Sequence, residues 1–591
     1  MSTNDNLVFS PKEFCRLLVE GRHDELSAQL LDILDRVGRL NIRERTDETL
    51  LFADVFIQNL TYCLCQSAFQ PMPEDAGRFV DHNGTIANLA ALSRHGTTDV
   101  ALGILLKQKG PLTKILTLYS AFNSIELDPR PFFDADPILA SRWWFGFFGT
   151  DSGILVSPHV LRRLRAHLAR IDERLTVTGT GTSFISPYYL ITYADLGREA
   201  TVKARLNGLI RKHWPAPPPK PRRISPKRIL VLSAFWYRSH AVWRTNQKFV
   251  ASLAGKYRLT LVTLGLDHAD YDVEPFDRVV RLAPNGDGLD IQALRDLGAM
   301  VAFYPDVGMS PLSVILANHR ICPIQLMTHG HPSSTFGSEI DYYVSGCDIE
   351  DAETARHYSE RLVLISGRGV DPTHPAPAAP PVDKPETPLT VCCPWSAAKT
   401  NAEIVALLRR IADGVGRPVH FHFLPGTGLR RGGQIPFEDA LRAALAGSAV
   451  TVHPQLKAEE YLAVMDKAHL ALDSYPFGGF NTVVDALGRG VPIVAYERDR
   501  AFNRFGAHFL RKAGLGDLVA HDDDGYVGKA VAILTDRRHR EDLERRIRAI
   551  DHSPELYTDS ANSFPQLVEY LIANQTRLSE DKDRTPIVVG G

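Results

Sequence analysis

Two proline-rich stretches constrain this chain more than any other feature: WPAPPPKPRR at 214–223 and DPTHPAPAAPPVDKPETP at 371–388. Proline has no amide donor and fixes φ, so neither stretch can continue a helix or sit inside a sheet. Both read as semi-rigid connectors. A chain of 591 residues exceeds what one hydrophobic core organises. The connectors therefore divide it into parts at 1–222, 223–385 and 386–575, with a tail at 576–591 that is expected to be disordered.

The texture changes at the first connector. Before it, residues 10 to about 210 read mainly as helices, opening on a Ser10-Pro11 cap and running through HVLRRLRAHLARIDERL, whose arginines are expected on a solvated face. Between them, ELDPRPFFDADPILASRWWFGFFGTDSG is aromatic and poorly periodic and is expected to be a packed loop. After the connector, short apolar runs alternate with helical segments: RILVLSAF, YRLTLVTLG, MVAFYPD, CPIQLMTHG, DYYVSG and LVLISG. The same alternation resumes after the second connector with LTVCCPWSA, VHFHFLPG, AVTVHP, LALDSYPF, VPIVAYE and LVAHD. Unbroken apolar runs of this length are strands buried on both faces. The expected fold is α/β, an all-α N-terminal domain followed by a pair of Rossmann-like domains, whose ligands bind beyond the carboxyl ends of the strands.

Composition narrows the function classes. A formal net charge of -2 removes the long-range pull of a general nucleic-acid binder. The start, MSTNDNLVFSPKEF, has no basic or apolar leader region, and no apolar stretch is long enough to span a bilayer. The seven cysteines lack paired metal-ligand spacing, so a reducing compartment, the cytoplasm, is expected.

Chemistry concentrates at strand ends. In LALDSYPFGGFNTVVDALGRGVPIVAYE (470–497), a strand runs into Gly478-Gly479 and a helix opens near Asn481-Thr482. Glycines admit a close ligand, and the helix start offers amides and partial positive charge to a diphosphate. Asp485, one turn on, projects to the same side and suits ribose hydroxyls, although an ordinary strand-turn-helix would read alike. Lys399 stands before a helix in CCPWSAAKTNAEIV, where an ammonium can neutralise a diphosphate; a solvated surface lysine fits the same place. Asn401 reads as a helix cap. His240 and Arg244 lie at the end of the first strand, His329 and His331 at another, and His453 at a third. The acidic runs FDADP (133–137) and HDDDG (521–525) read as a turn and a helix cap.

Taken in order, Ser239-His240, Trp243-Arg244-Thr245, Gly330-His331-Pro332, Ser338-Glu339, Asp341-Tyr342, Lys399-x-Asn401, His453-Pro454 and Pro476-Phe477-Gly478 with Asn481 and Asp485 resemble one family. It is the soluble bacterial N-glycosyltransferases that modify high-molecular-weight adhesins, relatives of O-GlcNAc transferase. The resemblance implies a GT-B arrangement and inverting, metal-independent transfer of a hexose, usually glucose, from a UDP-sugar to asparagine in Asn-x-Ser/Thr. It implies Lys399, Asn481 and Thr482 at the donor diphosphate, Asp485 at the ribose, His453 near the nucleotide, and His240, Arg244 and His331 on the sugar and acceptor side. No cofactor is implied, since the UDP-sugar is a co-substrate; the partners are that donor and a polypeptide acceptor such as an adhesin. One departure stands out: the glycine loop reads Phe477-Gly478-Gly479-Phe480, where the family carries a more polar run.

The expected reaction is in-line attack by an acceptor nitrogen on the anomeric carbon, with His240 as a base or a positioning group. Alternatives on the same scaffold are transfer to serine, threonine, a glycan or a lipid-linked acceptor. An alternative of another class is a scaffold whose cleft no longer catalyses.

Overall fold

The computed structural model describes residues 9–590 apart from 40–41, 43–44, 149–151, 179–181, 216, 219, 221, 265–269, 283–288, 376–379, 427–428 and 430–432. Parts of both proline-rich connectors and the end of the aromatic segment thus lie outside the described residues. The chain forms two compact units: Met1–Asp195 with Trp395–Arg409 and His420–Leu456, and Leu196–Pro394 with Arg410–Val419 and Lys457–Gly591.

The first unit is mainly helical. Ser10 caps the helix Pro11–Val19 by accepting the Glu13 amide at 3.3 Å. Leu26, Leu30, Leu34 and Val37, spaced at helical intervals on His23–Arg39, enter one core with Phe56 and Leu60 of Asp47–Cys65. The aromatic segment corrects the sequence reading: it forms the helices Arg130–Ala135 and Pro137–Gly146. Asp136 caps the second by accepting the Ile138 and Leu139 amides. Trp143, Trp144 and Phe145 are all buried, so the helix is apolar nearly all round and shows no periodic stripe. The arginine-rich helix Pro158–Leu168 departs too, because Arg163 is buried and donates to the Tyr119 hydroxyl at 2.6 Å.

The strands, in chain order, are β1 (Ser225–Ser233), β2 (Arg258–Leu264), β3 (Arg278–Leu282), β4 (Ala299–Tyr304), β5 (Ile324–Met327), β6 (Tyr342–Gly346), β7 (Arg361–Ile365), β8 (Leu389–Cys393), β9 (Val419–Phe423), β10 (Ala449–Val452), β11 (Leu470–Leu472), β12 (Ile493–Tyr496), β13 (Val519–Ala520) and β14 (Ile587–Val589). The second unit holds an eight-stranded sheet in the order β14-β7-β6-β5-β4-β1-β2-β3, parallel throughout. Ile229 and Val231 of β1 feed one core, and Leu230 and Leu232 feed another on the opposite face. That double burial is why the strands read as unbroken apolar runs. Parallel pairing recurs after the second connector, with β11 between β8 and β12, and β13 beside β12. In the first unit β9 pairs in parallel with β10.

The tail is the second correction. Instead of being disordered, it forms the helix Gln575–Glu580 and then β14, which adds in parallel to the edge strand β7. The alternating apolar residues Ile587 and Val589 join the sheet's core, and Arg361 pairs with Asp581 at 2.9 Å. No helix among the described residues is long and apolar enough to cross a membrane.

Candidate functional site

The carboxyl edge of the eight-stranded sheet carries the first predicted residues. After β1 the chain turns into the helix Ala241–Leu253, and His240 is its N-cap: ring Nδ1 accepts the Val242 amide at 3.2 Å. The ring lies nearly parallel to Phe235, 4.6 Å away, and meets Tyr237 edge-on. A ring that accepts at Nδ1 is, when neutral, the tautomer with its proton on Nε2. Arg244 follows one turn on and reaches a buried acid described below.

Beyond β5, His331 is buried and parallel to Phe477 at 5.8 Å, and Phe477 is in turn stacked on Phe502 at 4.6 Å. Phe477, within the matching Pro476-Phe477-Gly478 motif, is therefore packed between two rings, while Phe480, which departs from the family's loop, packs against Phe505 at 5.5 Å. His329 sits in a different setting: its ring bonds Ser345 and Tyr343, and burial pushes its pKa down to about 3. The segment after His331 is tied to the helix Glu199–His213. Lys203 Nζ, 1% exposed, bonds Glu199 at 2.9 Å, Ser333 Oγ at 2.6 Å and the Ser334 carbonyl at 3.1 Å. Burial lowers the Lys203 pKa, against the opposing pull of Glu199. One turn on, Asn207 donates to the Thr335 carbonyl at 2.8 Å.

The glycine turn follows β11. Asp473 is buried, and its Oδ1 accepts the amides of Ser474 at 2.8 Å and Gly479 at 2.6 Å. Ser474 Oγ donates to the Phe477 carbonyl at 2.7 Å, which tightens the loop further. A Cβ on Gly478 would lie 2.7 Å from the Phe502 carbonyl oxygen, and one on Gly479 only 2.0 Å from Thr482 Oγ1. The turn thus requires glycine at 478, where the obstacle is backbone, while at 479 a side chain would have to give way. The helix Asn481–Gly488 then opens, with the Asn481 side-chain oxygen enclosed and lacking a hydrogen-bond partner among the described residues. Gly490, at φ +74°, turns the chain out of that helix, as a C-terminal glycine does.

Asp485, one turn into the helix, is gripped by both terminal nitrogens of Arg244 at 2.6 and 3.1 Å. Burial works against the Arg244 charge, but its bond and attraction to Asp485 hold the guanidinium above its ordinary pKa. Arg244 Nε also donates to Thr373 Oγ1 at 3.3 Å. The two oxygens of a carboxylate offer about four acceptor positions, so Asp485 keeps capacity for hydroxyl donors.

Lys399 and His453 belong to the first unit. Lys399 ends the short helix Ala397–Lys399, and Asn401 caps the next, accepting the Glu403 and Ile404 amides at 3.0 Å. His453 lies just past β10. Its Nε2 meets His422 Nδ1 at 2.9 Å, while His420 bonds Thr451 at 2.8 Å and packs 4.1 Å from the His422 ring. Burial, helped by His420, lowers the His453 pKa, which favours a neutral imidazole at His453.

Among the described residues one group has metal-like spacing, Asp348, His508 and Asp559. Asp559 already pairs with Lys512 at 2.8 Å and Arg368 at 3.2 Å, so its charge is met. HDDDG behaves as read, with Asp522 a helix cap, whereas FDADP, read as a turn, ends one helix at Ala135 and caps the next through Asp136. Sequence reasoning missed Asp306, Asp473, Lys203 and the His420–His422 pair. The alternation in Val419-His420-Phe421-His422-Phe423 was a signal for the last, since it puts both imidazoles on one face of a strand.

No family model matches the chain. Among curated proteins it is similar to the UDP-glucose:protein N-beta-glucosyltransferase of Actinobacillus pleuropneumoniae serotype 5b, 23% identical over 469 residues, covering 74% of this chain and 73% of the relative. It is also 26% identical over 245 residues to the probable UDP-N-acetylglucosamine–peptide N-acetylglucosaminyltransferase SPINDLY of Eustoma exaltatum, spanning 39% of this chain and 26% of that protein. Among solved structures, a point mutant of the Thermobaculum terrenum O-GlcNAc transferase matches with a TM-score of 0.60 at 16% identity, over 97% of this chain and 99% of that one. This last likeness speaks to fold: a helical N-terminal region followed by Rossmann-like domains of the GT-B kind. Sequence similarity along 74% of its length, on that shared fold, marks this chain as a glycosyltransferase similar to the bacterial UDP-glucose:protein N-beta-glucosyltransferases.

Proposed function

We propose that this glycosyltransferase moves a hexose from a UDP-sugar, UDP-glucose foremost, to the side-chain nitrogen of asparagine in Asn-x-Ser/Thr sequons of a polypeptide such as an adhesin. The transfer inverts the anomeric carbon and uses no metal. The observation that carries the reading is the glycine turn after β11, where Gly478 and Gly479 open a helix whose next turn presents a buried carboxylate, Asp485. Amides at such a helix start suit a diphosphate, and a fixed carboxylate beyond them suits ribose hydroxyls. The similarity to a relative named for UDP-glucose and protein supplies the donor and the acceptor class. The reaction is assigned to the cytoplasm, a compartment that suits the free thiols of this chain.

In this reading the acceptor nitrogen attacks the anomeric carbon as the bond to UDP breaks on the opposite face, and the proton lost by the nitrogen passes to the departing diphosphate. Lys399 counters the negative charge that grows on the departing diphosphate, and the amides at Asn481 and Thr482 do the same beside Gly478. Asp485, held by Arg244, takes the ribose. His453, kept neutral, contacts the nucleotide. His331 walls the sugar and acceptor side together with Phe477. His240 acts by donation: its Nδ1 lone pair is spent on the helix cap, so Nε2–H can bond a substrate oxygen, whereas accepting a proton would cost the cap. Positioning, rather than base catalysis, is its role.

A panel of isotope-labelled UDP-sugars with a sequon peptide, and a twin peptide carrying glutamine in place of the asparagine, tests the proposal by mass spectrometry. One hexose on the asparagine of the first peptide and none on the twin is the expected result. Sugar on serine or threonine, or no transfer from any UDP-hexose, would refute it. A second reading, UDP-N-acetylglucosamine as donor, is favoured by the similarity to SPINDLY proteins, and the same panel separates it.

A further inference from the structure

Asp306 follows β4 at the carboxyl edge of the eight-stranded sheet and is fully buried. Its Oδ2 accepts three donors from a segment some seventy residues earlier in the chain: Ser233 Oγ at 2.7 Å, the Ala234 amide at 2.8 Å and the Phe235 amide at 3.2 Å. Phe235 is the residue on whose ring His240 is stacked, at 4.6 Å and 13°. The opposite side of the same short segment supports the other histidine. The Pro305 carbonyl oxygen lies where a Cβ on Gly330 would be, at 1.7 Å, and a Cβ on Gly308 would stand 2.8 Å from His331 Nδ1. Residues 305–308 are therefore wedged between the loop that ends at His240 and the loop that carries His331.

We infer that Asp306 is a positioning residue that sets both His240 and His331 from one buried carboxyl group; its consequence for catalysis rests on the N-glycosyl-transfer reading above. A buried carboxylate with several donors on one oxygen is a stiff joint, because each donor it holds would otherwise be left unsatisfied. The second oxygen, Oδ1, is enclosed and has no partner among the described residues. A group that costs so much to bury needs a return, and here the return is the registration of two loops at the edge where parallel sheets bind their ligands. Asp306 touches no substrate in this reading; it acts through Phe235 on one side and through the Gly308 and Gly330 contacts on the other.

Histidine labelled with carbon-13 at Cε1 gives a readout of both rings that needs no substrate. The His240 and His331 signals are assigned from single His→Ala variants. In Asp306→Ala, with its fold checked by circular dichroism, both signals are expected to move and His240 to lose its single-tautomer shift. With donor and sequon peptide, kcat/KM is expected to fall about a hundredfold, the cost of a small misplacement. UDP affinity is expected to fall far less than transfer, because Asp306 reaches the donor turn only indirectly, through His331 and Phe477. Asp306→Asn, which keeps an acceptor oxygen for the same donors, is expected to restore most of both signals and of the transfer. If both histidine signals are unchanged in Asp306→Ala, or if UDP affinity falls in step with transfer, the inference is overturned. Should Asp306→Ala fail to fold, Ser233→Ala removes one bond of the three: a moved His240 signal supports the inference and an unmoved one overturns it. Absence of transfer by the wild-type protein would sink the functional reading alone, leaving the histidine signals to decide the role of Asp306.

Discussion

Two buried aspartates at the ends of parallel strands do the same job at different range. Asp473, after β11, accepts amides from Ser474 and Gly479, its own neighbours, and folds a turn that is complete within one short stretch of chain. Asp306, after β4, accepts from Ser233, Ala234 and Phe235 and so joins two stretches of chain far apart in sequence. The local joint shapes the predicted donor turn, and the distant one registers the predicted acceptor-side histidines. The difference teaches that a turn organised from within can be altered one residue at a time, whereas a joint between loops transmits any change to both of them.

Against that contrast Lys399 gives the scale, since in the proposed reading it acts by charge and it belongs to neither joint. Lys399→Ala is expected to cut turnover by about a hundred- to a thousandfold with the fold intact, as loss of a transition-state donor does; steady-state kinetics and a melting curve check both halves. Next in size is a pair of glycine changes. Gly330→Ala meets the backbone oxygen of Pro305, which cannot turn away, and should cost about 3 kcal/mol in urea unfolding. Gly479→Ala meets first the side-chain oxygen of Thr482, which can rotate, and should cost about 1 kcal/mol. Equal costs would break the contrast between a joint across chains and a local turn.

The pH dependence comes next. Burial raises the Asp306 carboxyl pKa from 3.8 to about 6, against the bonds from Ser233, Ala234 and Phe235 that lower it. Because the folded value lies above the unfolded one, its contribution to stability is complete below pH 3.8 and is lost as pH rises through about 6. Asp306→Asn does not titrate, so its melting temperature relative to wild type should climb between pH 4 and pH 7, for a change of about 2 kcal/mol. A difference that is flat across that window would deny the buried charge. The smallest effect is expected at Arg244. Arg244→Ala leaves Asp485 without its partner and should weaken UDP binding by about tenfold; Arg244→Lys should recover it only in part, because an ammonium cannot make the paired contact.

How much was legible follows the same line between local and distant. The parallel strands were readable because burial on both faces leaves unbroken apolar runs, and the caps at Ser10, Asn401 and Asp522 because capping is settled within a few residues. The Gly478-Gly479 turn was readable for the same reason. Asp306 was not, since nothing near Tyr304-Pro305-Asp306 in sequence signals donors at Ser233. The helices at 130–146 were hidden because one is short and the other buries Trp143, Trp144 and Phe145 side by side without a periodic stripe, and β14 by the charged stretch before it, whose Asp581 pairs with Arg361. His240 was visible as a residue but not in its chemistry: only the bond from the Val242 amide fixes which nitrogen holds the proton.

The claim beneath all of these is that the chain takes up a uridine diphosphate. Isothermal titration of the wild-type protein with UDP tests it most directly. A saturable heat with one site per chain, weakened in Lys399→Ala and in Arg244→Ala, is the result expected. A flat trace at millimolar UDP, with the protein folded, would contradict it.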